Sequence, residues 1–155
     1  MSENYSDSST ARQWWIALGL AGILPQLLAV VLAFQGSEYR FLAHAGGYAY
    51  AAAIFSFLGG VWWGQALSAP NSSPTAFILA VLPSLIAVAL FLPWTLGWSW
   101  PDYSLMTIGL LIMLSPKVDR YLGMASRTFM RLRWFLSLSL GTLTIVLGML
   151  ALRQV

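Results

Sequence analysis

The sequence predicts an all-α polytopic membrane protein: a bundle of five transmembrane helices with its N-terminus cytoplasmic and its C-terminus outside. Three observations predict it. Of 155 residues, 59% are hydrophobic and only 8% are charged. A soluble domain carries about 25% charged residues, so this chain has too few to cover a water-facing surface. The apolar residues also fall in uncharged runs close to the roughly 20 residues that cross a bilayer, not in the alternating ten-residue segments of a β-barrel. Finally, the basic residues are unequally shared. Arg12, Lys117, Arg120, Arg127, Arg131 and Arg133 fall on one side of the resulting topology, and only Arg40 and Arg153 on the other. The cation-rich side faces the cytoplasm.

Taken in order, residues 1–13 read as a disordered tail. Its Glu3 and Asp7 argue against a transit peptide, and the apolar run that follows is too long for a signal-peptide core. A single five-helix domain then fills 14–155. The first span covers about 14–34 without a charge, and the second about 42–67 with only His44 near its start. The third, about 75–92, is opened by Pro74 and closed by Pro93. Pro101 and Asp102 suit the N-terminus of a fourth span over about 101–121. Its uncharged stretch is the shortest, so Lys117, Asp119 and Arg120 are expected to snorkel into the headgroups. The fifth runs over about 132–152, framed by Arg131 and Arg133 before it and Arg153 after it. All eight tryptophans fall near helix ends, the level that indoles favour. The stretches ILPQLLAVVLAF and VLPSLIAVALFL of spans one and three fit either a duplicated helix pair or two apolar helices drawn from few residue types.

Several chemistries are disfavoured. With no cysteine and one histidine, the chain offers no disulfide, no thiolate metal site and no bis-histidine haem, and no cofactor is expected. No serine has an acid–base partner placed beside it, so the chain reads as non-enzymatic. The high pI comes from arginines at the membrane surface and implies no nucleic acid.

What remains is a pattern of small and polar residues inside the spans. On the second, Ala45, Ala49, Ala52, Ala53, Ser56, Gly59, Gly60 and Gly64 share one broad face, with Gly60 and Gly64 at the GxxxG spacing of close helix contacts. Ser137, Gly141 and Gly148 form a similar seam on the fifth. Ala52, Ser56, Gly59, Gly60, Gly64, Ser137, Gly141 and Gly148 are therefore the expected packing residues. The same wheel turns Trp63 into the bundle, where its N–H needs a partner, and leaves Trp62 as an interface anchor. Pro25 and Pro83 each free a backbone carbonyl. Together with Gln26, Ser84, Trp63 and Gln65 they compose a candidate pocket between helices 1–3. His44 reads as an interfacial residue. The loop SPKVDRYLGMASRTFMRLRW mixes cations with apolar residues, so Lys117, Arg120, Arg127, Arg131 and Arg133 are candidates for contact with anionic lipids.

The order LAGILPQ, SFLGGVWWGQAL, VLPSLIA and VDRYLG…RLRWFLSLSL resembles the transmembrane-protein-69-like family (domain of unknown function 3429) over about residues 16–150. The most specific piece is FLGG-x-x-WG, here Phe57 to Gly60 with Trp63 and Gly64; the RLR before the last helix is second. The resemblance implies a small multi-pass protein of a bacterial or mitochondrial inner membrane and brings no activity with it. The short N-terminus favours the bacterial inner membrane. The expected role is a non-enzymatic packing partner or assembly factor, for copies of itself or another membrane complex. The alternative is binding or transport of a small apolar or lipid-like molecule in the pocket between helices 1–3.

Overall fold

The computed structural model describes residues 13–14, 16–35, 37–70, 72–98, 101–123 and 127–153. The tail 1–12 with its Arg12, Trp15, Trp100 and the side chain of Arg127 lie outside the described residues. Among the described residues five helices are bounded: α1 (Leu24–Phe34), α2 (Ser37–Ser68), α3 (Pro74–Thr95), α4 (Asp102–Tyr121) and α5 (Arg127–Leu152). No strand occurs among the described residues. Residues 16–21 are also helical and continue into α1 through a turn at Gly22 and Ile23. Pro25 occupies the first turn of α1, where its missing N–H costs nothing. The chain therefore breaks just before it, and the Tyr50 hydroxyl donates to the exposed Gly22 carbonyl.

Four helical stretches are long and apolar enough to cross a membrane: Ile16–Phe34, Glu38–Ser68, Pro74–Thr95 and Phe129–Leu152. The fourth of the five expected spans, α4, is absent from this set. Its 20 residues would extend about 30 Å, so length is not the reason. Asp102, Ser104, Ser115 and Asp119 dilute its hydropathy and are buried, and Lys117 and Arg120 dilute it further from the exposed side. Sequence hydropathy averages over both faces of a helix; here both carboxylates are turned inward and both cations outward.

Three boundaries move outward from the expected ones. Helix α3 runs on to Thr95, with Pro93 inside it instead of closing it. Helix α2 begins at Ser37, because Glu38 in its first turn suits the positive end of the helix dipole. Helix α5 begins at Arg127, so Arg131 and Arg133 lie within it instead of framing it. At the far ends of α3 and α4 stand Gly97 and Gly123, with φ +74° and +73°. Trp98 N donates to Pro93 O and Gly97 N to Trp94 O, the pairing that closes a helix when a glycine takes the left-handed conformation.

Helix α2 packs on all four others, while α1, α5, α4 and α3 form an arc around it in that order. The tightest pair is α4 with α5, antiparallel along their lengths. Asp119 meets Arg133, Ser115 meets Ser137, Gly109 meets Gly141, and Asp102 and Leu105 meet Gly148. A Cβ on Gly109 would lie 2.8 Å from the Gly141 carbonyl oxygen, and one on Gly141 would lie 2.6 Å from that of Gly109. Only glycine permits that approach at both positions. On the other side, Gly59 of α2 sits against the Ala80 carbonyl and Pro83 of α3. Tyr48 donates to Ala87 O at 2.6 Å, and beyond it the Trp94 ring meets Phe41 at a tilt and Phe91 edge-on.

The exterior is apolar and the interior carries the polar residues. Leu18, Leu28, Phe34, Phe57, Leu85 and Val88 are each more than half exposed, whereas Gln26, Thr144 and Ser137 are at 0–1%. Water would penalise an apolar surface of that extent; a hydrocarbon exterior demands it.

Gly60 and Gly64 depart from the expected packing. Both are exposed, and a Cβ on either would meet nothing within 4 Å. Their GxxxG faces away from the chain's own bundle. Gly141→Leu is expected to destabilise the fold by about 2 kcal/mol or more through overpacking, and Gly60→Leu to stay within about 0.5 kcal/mol of wild type. Denaturation in mixed detergent micelles measures both.

Candidate functional site

A cluster of buried polar groups lies where α2, α4 and α5 meet, near the C-terminal ends of α2 and α4 and the N-terminal part of α5. Arg133 Nε donates to Asp119 Oδ2 at 2.8 Å. The same guanidinium donates from Nη1 to Ser137 Oγ at 2.7 Å and from Nη2 to Ser115 Oγ at 3.1 Å. Trp62 Nε1 completes the cluster, donating to Asp119 Oδ1 at 2.6 Å. The charged side chains are 12% and 6% exposed. Each charge has lost its water, and the pair compensates only through close geometry and the added hydrogen bonds.

Local sequence explains why these groups converge. Ser115 and Asp119 are four apart on α4, and Arg133 and Ser137 four apart on α5, so each pair shares a helix face. Pro116 is buried inside α4 and cannot supply the N–H that would reach Ile112 O. The Ser115 hydroxyl does so instead, at 2.7 Å. That donation leaves Ser115 Oγ to act as an acceptor towards Arg133.

Against this cluster lies a cavity of about 410 Å³ between the first span, α2 and α5. Leu18, Ile23, Ile54, Leu132 and Leu136 supply apolar wall, and Gln65, Asp119, Arg133 and Ser137 close one end. Leu18 and Phe57, each 66% exposed, stand at its rim, so the cavity opens sideways through the lipid-facing surface. Its size falls within the ~300–1,000 Å³ typical of small-molecule sites. A second cavity, of about 510 Å³, lies at the end of the bundle among Ser68, Ser72, Ser73, Thr75 and Tyr121, and it too is lined by Gln65. The Gln65 amide thus borders both spaces, and its Oε1 is buried without a partner.

The expected pocket between helices 1–3 is not assembled. Ser84 and Pro25 are exposed. Pro83 is buried against Gly59. Gln26, at 0% exposure, crosses to α5 and donates from Nε2 to Thr144 Oγ1 at 3.0 Å. Of the six residues expected there, only Gln65 lines the cavity that does form.

The two tryptophans exchange roles. Trp62 is buried at 3%, and Trp63 is 43% exposed, with its ring edge-on to Phe77 at 5.1 Å. A wheel sorted by side-chain size turns the smallest residues inward. The row that is buried runs Ala51, Phe55, Leu58, Trp62 and Ala66, a spacing of three and four. Asp119, the acceptor at that depth, draws the Trp62 indole in. Ala52 and Ser56 are only partly buried beside that row.

Asp119 and Arg133 are likewise corrected. Both side chains are turned inward, each the other's counter-ion inside the bundle. Lys117, Arg120 and Arg131 are exposed near the same end. His44 is not on the surface: it is buried at 5% with Nε2 unpartnered, in the N-terminal half of α2, away from the ion pair. The Ser115–Pro116 pair carried a readable signal, a hydroxyl beside a helical proline, as did the matched four-residue spacings of Ser/Asp and Arg/Ser.

The fold and site define a polytopic helical bundle whose interior holds a charge-compensated polar cluster beside an apolar cavity. More particularly, the chain belongs to the family described as protein of unknown function (DUF3429), whose model matches residues 11–150. No curated protein and no solved structure matches the chain.

Removing one partner of a buried pair strands the other. Arg133→Met is therefore expected to cost about 3–5 kcal/mol, while the double variant Asp119→Leu with Arg133→Met recovers most of it. Denaturation of the two proteins side by side checks the difference.

Proposed function

We propose that the protein binds a lipid-like molecule laterally from the bilayer, in the cavity between the first span, α2 and α5. The observation that carries this reading is the arrangement of the cavity: apolar walls, a lipid-facing rim at Leu18 and Phe57, and polar groups confined to one end. From Arg133 to Leu140, both lining residues, α5 advances about 10 Å. A chain lying there would have its head at the level of the ion pair and its tail towards the middle of the bundle. That is the order in which a lipid of the adjacent leaflet is arranged. The basic residues favour the cytoplasm for this end, and the exposed Lys117, Arg120 and Arg131 would then meet anionic headgroups. The role is binding or transfer without covalent chemistry, in an inner membrane.

The test is to fill the space. Leu136→Trp is expected to lower the co-purifying lipid at least about tenfold, equivalent to 1.4 kcal/mol, in native mass spectra of protein extracted with its surrounding bilayer. Unchanged occupancy in a folded variant would sink the proposal.

A second reading keeps one specific observation. Gly59, Gly141 and Gly148 are spent on contacts within the chain, but Gly60 and Gly64 face outward with nothing within 4 Å. A packing partner, another copy or another membrane protein, would use that stripe. Gly60→Leu should then shift the size of the detergent-solubilised particle, and an unaltered particle would dismiss this reading.

A further inference from the structure

We infer that the ligand of this cavity carries an uncharged, oxygen-bearing head, such as the hydroxyl of a long-chain alcohol or acylglycerol, on one apolar chain. The inference rests on the proposed lipid binding and specifies its chemistry. Three of the five guanidinium N–H groups of Arg133 are spent, on Asp119, Ser137 and Ser115. One hydrogen on each terminal nitrogen is left, and Arg133 lines the cavity. Those hydrogens call for an acceptor. Asp119 already supplies the matching charge at 2.8 Å, so the site as built is neutral. Among the cavity's lining residues there is no second cation and no second carboxylate.

An anionic head would add a charge with no counter-ion, beside Asp119 and away from water. An ammonium head would do the same beside Arg133. Each would have to break the existing pair or remain unpaired, and a buried unpaired charge costs several kcal/mol. A hydroxyl avoids both. Its oxygen accepts from Arg133, and its hydrogen meets an acceptor that the chain leaves over: the Gln65 Oε1, buried and unpartnered on the same wall. Rotation of the Gln65 side chain, which lines the cavity, would present that oxygen to the head. The leftover donor and the leftover acceptor thus describe a head that is both at once.

The test uses the full-length wild-type protein in lipid nanodiscs and three photoreactive probes with the same diazirine-bearing sixteen-carbon chain. One ends in a hydroxyl, one in a carboxylate and one in a trimethylammonium. The alcohol is expected to label peptides from α2 (54–65) and α5 (132–140) at least about tenfold more than either charged probe, the penalty of an unpaired buried charge. In Gln65→Leu, which leaves the ion pair intact, labelling by the alcohol should fall roughly threefold to tenfold, the worth of one hydrogen bond. Equal or stronger labelling of those peptides by a charged probe would overturn the neutral-head inference while leaving the cavity a lipid site. If none of the probes labels them, the binding reading itself fails and this inference with it.

Discussion

The ion pair of Asp119 and Arg133 is the constraint around which the rest of the bundle is arranged. Two charges in an apolar interior are tolerable only when each is the other's counter-ion and the remaining donors and acceptors are occupied. Satisfying that condition recruits three helices. Arginine from α5 spans Asp119 and Ser115 of α4, and Trp62 brings α2 to the second carboxylate oxygen. The backbone of α4 must then lie close to α5, which the opposed glycines 109 and 141 allow. Polar chemistry sets the register here, and small residues make the register sterically possible.

The same arrangement explains how the cavity and the cluster come to adjoin. Helix α2 is drawn towards α4 by Trp62 and towards α3 by the contact of Gly59 with Ala80. The first span leans on α2 and α5 further along, through Tyr50 at the Gly22 carbonyl and Gln26 at Thr144. Between these points of attachment the first span, α2 and α5 diverge, and the space they leave is walled by Leu132, Leu136 and Ile54. One end of that space meets the charged pair; the side opens to the surface.

Much of this fold was legible in the sequence, and the reasons are particular. Long runs without charge mark the spans because hydrocarbon tolerates little else, and a glycine after α3 marks its end because few other residues accept a positive φ. The site was harder to read. Asp119 lies near a helix end and beside Lys117 and Arg120, the setting of a headgroup residue. Nothing along α4 alone separates a carboxylate facing its partner helix from one facing water. Trp62 and Trp63 are adjacent and identical in type, so only the position of a hydrogen-bond acceptor on another helix decides between them. Contacts fixed by one helix's own periodicity can be read from its sequence. Those fixed by two helices together require knowing which of them meet.

That dependence reaches back to how the chain enters its membrane. Translation proceeds from the N-terminus, so α4 emerges with Asp119 before α5 has delivered Arg133. Alone, α4 would carry an uncompensated carboxylate into lipid, a penalty that its modest apolar content does little to offset. Folded back on α5, it sets that carboxylate against Arg133. Pairing with α5 is therefore what removes the penalty. Only five residues separate Tyr121 from Arg127, so α5 is the next helix that the chain supplies.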